Sequence, residues 1–252
     1  MMSLKDGFFW ILSFGANLGA RAVILMYHSI ADRPGHFNSV SPAVFREQMD
    51  YLKAKGFPVI SLETLVSHLE KGELPEGAVV ITFDDGYRDN YTEALPVLRE
   101  NGFPATVFVV TGRIGSNVRG SEYLSHQELM NMQRADIDIE PHTKTHPRLT
   151  DVSDSAAREE MVGSRTALED ILGKKKLLFA YPYGNFNDRT VEIARECGFR
   201  AAVTVREGTV GLGSDPLKLP RISIDASTSF AQFRGKLSRA VDRYEAIKKV
   251  WK

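Results

Sequence analysis

An α/β fold built on a parallel sheet is predicted for this 252-residue chain, and three observations predict it. Short apolar runs rich in β-branched and aromatic residues alternate with segments whose apolar residues recur three and four apart, which is the rhythm of βα units. Gly-Phe closes a helical pattern three times, at 56–57, 102–103 and 198–199, where glycine can take the left-handed turn that ends a helix and the phenylalanine can pack back on its last turn. No low-complexity linker or shift in composition marks a second folding unit over the central chain.

Strands are expected at 22–27 (AVILMY), 78–83 (AVVITF), 105–110 (ATVFVV), 137–140 (IDIE), 177–180 (LLFA) and 201–205 (AAVTV). Between them the helical spacing falls at 42–55, 62–71, 91–101, 126–135, 156–172 and 188–197. Strands and helices in that number suit a barrel-like fold. Residues 22–226 are assigned to the barrel, 1–21 to an N-terminal apolar helix or membrane-edge segment, and 227–252 to a C-terminal amphipathic helix.

Composition narrows the function. The chain is 43% apolar and 25% charged, an ordinary globular balance, and long enough to bury roughly three quarters of its unfolded surface. Lysine plus arginine equals aspartate plus glutamate at 32 each, so no net field draws the chain to nucleic acid, and a neutral or mixed-charge substrate fits better. Cys197 is the single cysteine, which excludes an internal disulfide, and its helical setting reads as a buried thiol.

The run at 8–14 (FFWILSF) is far short of the roughly 20 residues that cross a bilayer. Asp6 interrupts the basic flank of a secretory leader, and a cut near Ala20 would fall against the first strand, so a cytoplasmic or membrane-associated place is expected over secretion. From Phe230 onward, Phe233, Leu237, Val241, Tyr244, Ile247 and Trp251 form one stripe with basic residues elsewhere, suited to the barrel wall or to an anionic lipid surface.

Two motifs carry chemistry. Asp84 and Asp85, followed by Gly86, stand at the end of the strand 78–83, where βα barrels build their sites; the same tripeptide also serves as plain turn chemistry. On a turn, adjacent carboxylates can face one pocket, one toward a metal and one toward a proton. His142 and His146 follow the strand 137–140, and two imidazoles four apart converge on one ion if that stretch makes a helical turn. With a carboxylate from another strand end, two histidines leave coordination positions open, which marks a catalytic rather than a structural set. A third element, Tyr181-Pro182-Tyr183-Gly184, is a turn that could aim a backbone N–H at a developing oxyanion.

Thr82-Phe83-Asp84-Asp85-Gly86, then His142-Thr143-x-x-His146, then Tyr181-Pro182-Tyr183-Gly184, in that order, resemble the polysaccharide deacetylases with the NodB-homology domain, carbohydrate esterase family four. The resemblance runs from about Val23 to Ile224. It implies a distorted (β/α) barrel of about seven parallel strands and a divalent metal, zinc with cobalt or nickel as alternatives. It implies Asp84 as general base, Asp85, His142 and His146 as metal ligands, and the Tyr183 backbone amide in the oxyanion hole.

The family's acid histidine, usually in a late Leu-x-x-His motif, has no counterpart after His146. Leu25-Met26-Tyr27-His28 supplies that spacing at the front of the chain, as in a circularly permuted branch that includes poly-N-acetylglucosamine deacetylases, and so His28 is taken as the acid. Ala180 stands where the family's usual arginine would be. Arg221, in Leu219-Pro220-Arg221-Ile222, is similar to the arginine that holds the base in the permuted branch, with an exposed surface arginine as the competing reading.

The implied reaction is metal-assisted hydrolysis of the N-acetyl group of an amino sugar in a glycan, with Asp84 taking a proton from water and His28 giving one to the departing amine. A deacylase of another small amide, such as the formamido sugar of a lipid carrier, and a non-catalytic glycan-binding domain are the competing functions.

Overall fold

The computed structural model describes residues 21–33, 36–238, 241–243 and 247. Seven parallel strands form a nearly closed barrel: β1 (Val23–Tyr27), β2 (Val79–Phe83), β3 (Ala105–Val109), β4 (Ile137–Pro141), β5 (Leu178–Ala180), β6 (Ala201–Glu207) and β7 (Leu219–Ser223). Their order around the barrel is β4, β3, β2, β1, β7, β6, β5.

All five residues of β1, β2 and β3 are buried, because both faces of a parallel sheet are covered and each strand can be apolar throughout. Val23, Leu25, Val79, Ile81, Ala105 and Val107 face the helices, in one cluster with Phe45, Met49 and Leu52 of α1 (Pro42–Ala54). The alternate residues Ile24, Val80, Phe108, Ala180, Val203 and Leu219 share a second cluster with Leu62, Leu65 and Val66 of α2 (Leu62–Glu70). Each fully buried Val, Leu, Ile, Phe or Met side chain among these contributes roughly 1.5–3 kcal/mol.

The Gly-Phe signals end helices as expected. Gly56, Gly102 and Gly198 have φ of 66°, 68° and 81°. The next N–H in each case reaches back over the last turn, from Phe57 to the Leu52 carbonyl (3.1 Å), Phe103 to Leu98 (2.9 Å) and Phe199 to Ala194 (3.2 Å).

Two elements depart from the sequence expectation. The seventh strand, β7, lies in none of the strand windows, because Pro220 and Arg221 break its apolar pattern. The helix expected over 91–101 opens as a π-helical turn, Asn90–Ala94, before becoming α3 (Leu95–Asn101). The remaining helices are α4 (His126–Arg134), α5 (Asp154–Leu172), α6 (Asp188–Glu196) and α7 (Phe230–Lys236).

The barrel has one gap, between β4 and β5, where no backbone ladder forms. Side chains bridge it. Glu140 on β4 accepts the Leu178 N–H with Oε2 (3.0 Å), and the His142 ring Nδ1 donates to the Ala180 carbonyl (2.7 Å). Lys176 approaches Glu140 at 3.9 Å, and both are almost fully buried. Burial pushes the Glu140 carboxyl up and the Lys176 amine down, each toward its neutral form.

The apolar run at 8–14, and Tyr244 and Trp251 of the C-terminal stripe, lie outside the described residues. Of that stripe Phe233, Leu237 and Val241 are buried against the helix-facing core cluster. No helix among the described residues is long and apolar enough to cross a membrane.

Candidate active site

The ends of β1, β2, β4 and β5 deliver His28, Asp84 with Asp85, His142 with His146, and Tyr183 to the same end of the barrel, the C-terminal end of a parallel barrel's strands. Backbone strain collects there. Of six non-glycine residues with positive φ among those described, Asp85 (74°), Thr143 (67°), His146 (65°) and Tyr183 (58°) belong to this site. Such conformations each cost about 1–3 kcal/mol and persist where neighbouring structure over-determines them.

Asp84 extends the ladder from β2, its N–H donating to the Tyr27 carbonyl (2.9 Å). Its carboxylate is 3% exposed, and Arg221, 1% exposed, meets it as a fork: Nη1 to Oδ1 at 2.7 Å and Nη2 to Oδ2 at 2.6 Å. Arg221 rises from β7 and crosses the barrel interior, also donating to the Thr204 carbonyl (2.8 Å) and the Thr82 hydroxyl (3.2 Å), with the Phe108 ring 5.8 Å away. Burial alone would raise the Asp84 carboxyl, but the Arg221 charge and hydrogen bonds, helped by His142 and His28, outweigh it. The group is held well below the usual carboxylate range and is ionised at any working pH.

Beside it, positive φ at Asp85 turns that side chain toward the two histidines. Asp85 Oδ1 lies 3.4 Å from His146 Nε2 and 3.9 Å from His142 Nε2, and the two Nε2 atoms are 3.2 Å apart. The histidines do not converge through a helical turn. Residues 142–146 form a loop with left-handed Thr143 and His146, closed by the His146 N–H donating to the Thr143 hydroxyl (3.0 Å).

A carbonyl oxygen can only accept, so the Ala180 contact places the His142 proton on Nδ1 and leaves the Nε2 lone pair facing Asp85 and His146. Burial first and His142 second push the His146 imidazole below its ordinary value, keeping it neutral near pH 7. With the His146 proton on Nδ1 as well, three lone-pair donors would meet at one point, the arrangement a cation fills.

Ligands held about 2.1 Å from a tetrahedral ion sit roughly 3.4 Å apart, close to the separations seen here. Asp85, His142 and His146 thus fit a divalent metal, and their donor atoms all lie within 4.8 Å of one another. A neutral histidine oriented by a carbonyl on its other nitrogen is the usual form of a ligand imidazole.

His28 follows β1 and is partly buried. Its backbone is held from the segment after the carboxylates: Asn90 Nδ2 donates to the His28 carbonyl (2.7 Å), and Asp89 accepts the Ile30 N–H (2.9 Å) and the Ser29 hydroxyl (2.6 Å). Burial lowers the His28 imidazole below its ordinary value, while Asp84 and Asp85, both close enough to be felt, act the other way.

Tyr183 is about half exposed, its ring 4.5 Å from His146 and capped by the Arg148 guanidinium at 4.5 Å. Gly184 behind it has no room for a side chain, since a Cβ would lie 2.3 Å from Val205. Across the site Tyr87 stacks on Tyr123 (5.1 Å), and burial followed by the Asp85 charge pushes the Tyr87 hydroxyl up. A groove of about 340 Å³ lies alongside, lined by Tyr87, Ser29, Arg33 and Ser121 among others.

Tyr87, Asn90 and Glu160, which binds the histidine loop, escaped the sequence reading. Only Tyr87 and Asn90 had a local signal, their closeness to the carboxylate pair.

The family model for polysaccharide deacetylase matches residues 71–202, half of the chain. The chain belongs to the polysaccharide deacetylase family. It is accordingly an enzyme of the hydrolytic deacetylase class, whose members are metalloenzymes, and Asp84, Asp85, His142, His146 and Tyr183 all lie within the matched segment. His28 and Arg221 lie outside it.

The poly-beta-1,6-N-acetyl-D-glucosamine N-deacetylase of Staphylococcus epidermidis is 31% identical over 196 residues, 74% of this chain and 68% of the relative. Among solved structures, the Streptococcus pyogenes deacetylase PplD in complex with acetate superposes with a TM-score of 0.80 at 29% identity, over 87% of this chain and 99% of that one. IcaB from Ammonifex degensii superposes with a TM-score of 0.77 at 25% identity, over 88% and 97% of the two chains.

Proposed function

We propose that this deacetylase removes N-acetyl groups from amino sugars of a glycan, with Asp84 as base, His28 as acid, and Asp85, His142 and His146 holding a divalent metal. The observation that carries this reading is the pairing of two differently prepared carboxylates on one turn. Asp84 is locked to Arg221 and kept ionised, while Asp85 turns toward His142 and His146. A glycan-binding module has no use for that division.

Asp85, His142 and His146 would hold a divalent ion, zinc before cobalt or nickel, which would supply Lewis acidity toward the acetyl carbonyl and bring the pKa of a bound water to about 7. The chain's own residues do the rest. Asp84 accepts the proton of the attacking water; Arg221 fixes the carboxylate in place and stops it swinging toward the ligand set. The Tyr183 backbone N–H supports the developing oxyanion. His28 protonates the sugar nitrogen as the carbon–nitrogen bond breaks, giving free amine and acetate. The exposed Tyr183 ring offers an apolar surface on which a sugar ring can lie. The apolar run at 8–14 supports a place at a membrane edge.

The deciding experiment joins metal analysis of the purified protein to acetate release from defined N-acetylhexosamine oligomers, with N-formyl sugars in parallel. Acetate release that depends on about one metal per chain is expected. Formate release alone would move the substrate to a formamido sugar. Stoichiometric metal with no acyl product from any member would sink the catalytic reading.

A further inference from the structure

The loop that carries the two histidines is held from outside the site by α5. Glu160 accepts three hydrogen bonds from it: Oε2 takes the N–H groups of Lys144 (2.7 Å) and Thr145 (2.9 Å), and Oε1 takes the Thr145 hydroxyl (2.7 Å). On the other side Thr111 N–H donates to the Thr143 carbonyl (3.1 Å) and Gly112 N–H to the Lys144 carbonyl (2.8 Å).

Two glycines make the fit close. A Cβ on Gly112 would stand 2.6 Å from the Lys144 carbonyl oxygen, and one on Gly163, a turn beyond Glu160 on α5, would stand 2.6 Å from Lys144 Cδ. Nothing in this cradle is required to form β4 or α5, both of which have their own ladders and apolar faces. Its effect falls on a loop whose residues Thr143 and His146 are both left-handed. An unclamped loop would relax toward ordinary backbone angles and carry His146 away from His142 and Asp85.

We propose that Glu160 is a positioning residue for the metal centre, presetting the 143–146 loop so that the affinity for the divalent ion depends on a carboxylate that never touches it. The inference rests on the metal-site reading above and adds a residue that acts through the ligand loop. Two amides and a hydroxyl converging on one carboxylate are charge-assisted hydrogen bonds, stronger than those to a neutral acceptor. Glutamine at this position keeps one oxygen but puts an NH2 where a second acceptor stood. Glu160→Gln should therefore fall between wild type and Glu160→Ala.

The test measures zinc affinity by competition with a chromogenic chelator for the full chain, Glu160→Gln and Glu160→Ala, alongside amide hydrogen exchange of each metal-free protein. Loss of outer-shell support typically weakens metal binding by about 10–100-fold. The expected result is a loss in that range for Glu160→Ala and a smaller one for Glu160→Gln. Faster exchange should fall on the loop amides of Lys144, Thr145 and His146 and on the Thr111 and Gly112 amides bonded to the loop, with β1 to β4 as protected as in wild type. If Glu160→Ala does not fold, the near-isosteric Glu160→Gln carries the measurement. Variants that bind zinc within threefold of wild type would overturn the proposal and leave the metal site standing. A wild type that takes up no zinc, cobalt or nickel would overturn the metal-site reading itself, and this proposal with it.

Discussion

Replacing Arg221 by methionine keeps most of the side-chain volume and removes the charge that faces Asp84. In the folded protein this leaves a carboxylate, 3% exposed, with neither of the guanidinium bonds at 2.7 and 2.6 Å. Breaking a buried ion pair by deleting one partner costs about 3–5 kcal/mol, because the surviving charge keeps its desolvation penalty without compensation. For a domain of this size that corresponds to a fall of roughly 6–20 °C in Tm.

The same change should move Asp84 in a definite direction. Burial, no longer opposed by Arg221, raises the carboxyl, so the base becomes ionised only at higher pH and the acid limb of kcat shifts upward. Urea unfolding of wild type, Arg221→Met, Asp84→Asn and the double variant closes a cycle. Coupling of about 1–3 kcal/mol is expected between sites in such contact, with Asp84→Asn partly rescuing the stability of Arg221→Met. A single Arg221→Met variant within about 1 kcal/mol of wild type, or a cycle that closes to zero, would refute the reading that Arg221 compensates the buried Asp84 charge.

Asp84→Asn should abolish acetate release yet retain metal, whereas His142→Ala should lose both, read by elemental analysis beside the turnover assay. His28→Ala should cut kcat by about 100- to 10,000-fold at unchanged metal content, the range of a general acid; an unaltered kcat in a folded variant would return His28 to a structural role. Because Asp84 is depressed in the folded state and ordinary, near 3.9, when unfolded, its stabilisation is complete above that value and lost as pH falls below it. Acid unfolding between about pH 4 and 2 should accordingly be steeper in wild type than in Asp84→Asn. Chelation should abolish turnover, and re-addition of zinc, cobalt or nickel one at a time should restore it to different extents.

The barrel was legible where residues carry their own signal. Uninterrupted apolar runs mark β1, β2 and β3, and Gly-Phe marks helix ends. β7 was not, because a proline and an arginine at the centre of a five-residue strand look like a loop, and only Asp84, 137 positions away in sequence, explains why that arginine is inside. The same holds for the site. Asp84, Asp85, His142 and His146 stand in short motifs at strand ends, so residue type and place coincide. The local shape of the histidine loop did not follow from its spacing, since a helical turn and a left-handed loop both bring residues four apart together. Glu160 and Asn90 act over 15 and 62 positions on backbone groups, and sequence carries no mark for a bond made to someone else's amide.

The gap between β4 and β5 has a bearing on how the barrel shields its own edges. Two strand edges with unmet backbone groups are templates for pairing with another chain, the hazard that full closure of a barrel removes. Here the edges face each other, and the stoppers are Glu140 and His142. His142 also belongs to the proposed ligand set, so one ring serves both the seam and the site. Replacing it should bare the Ala180 carbonyl to other chains as well as weaken metal binding, and His142→Ala should be the aggregation-prone form, read by light scattering on warming.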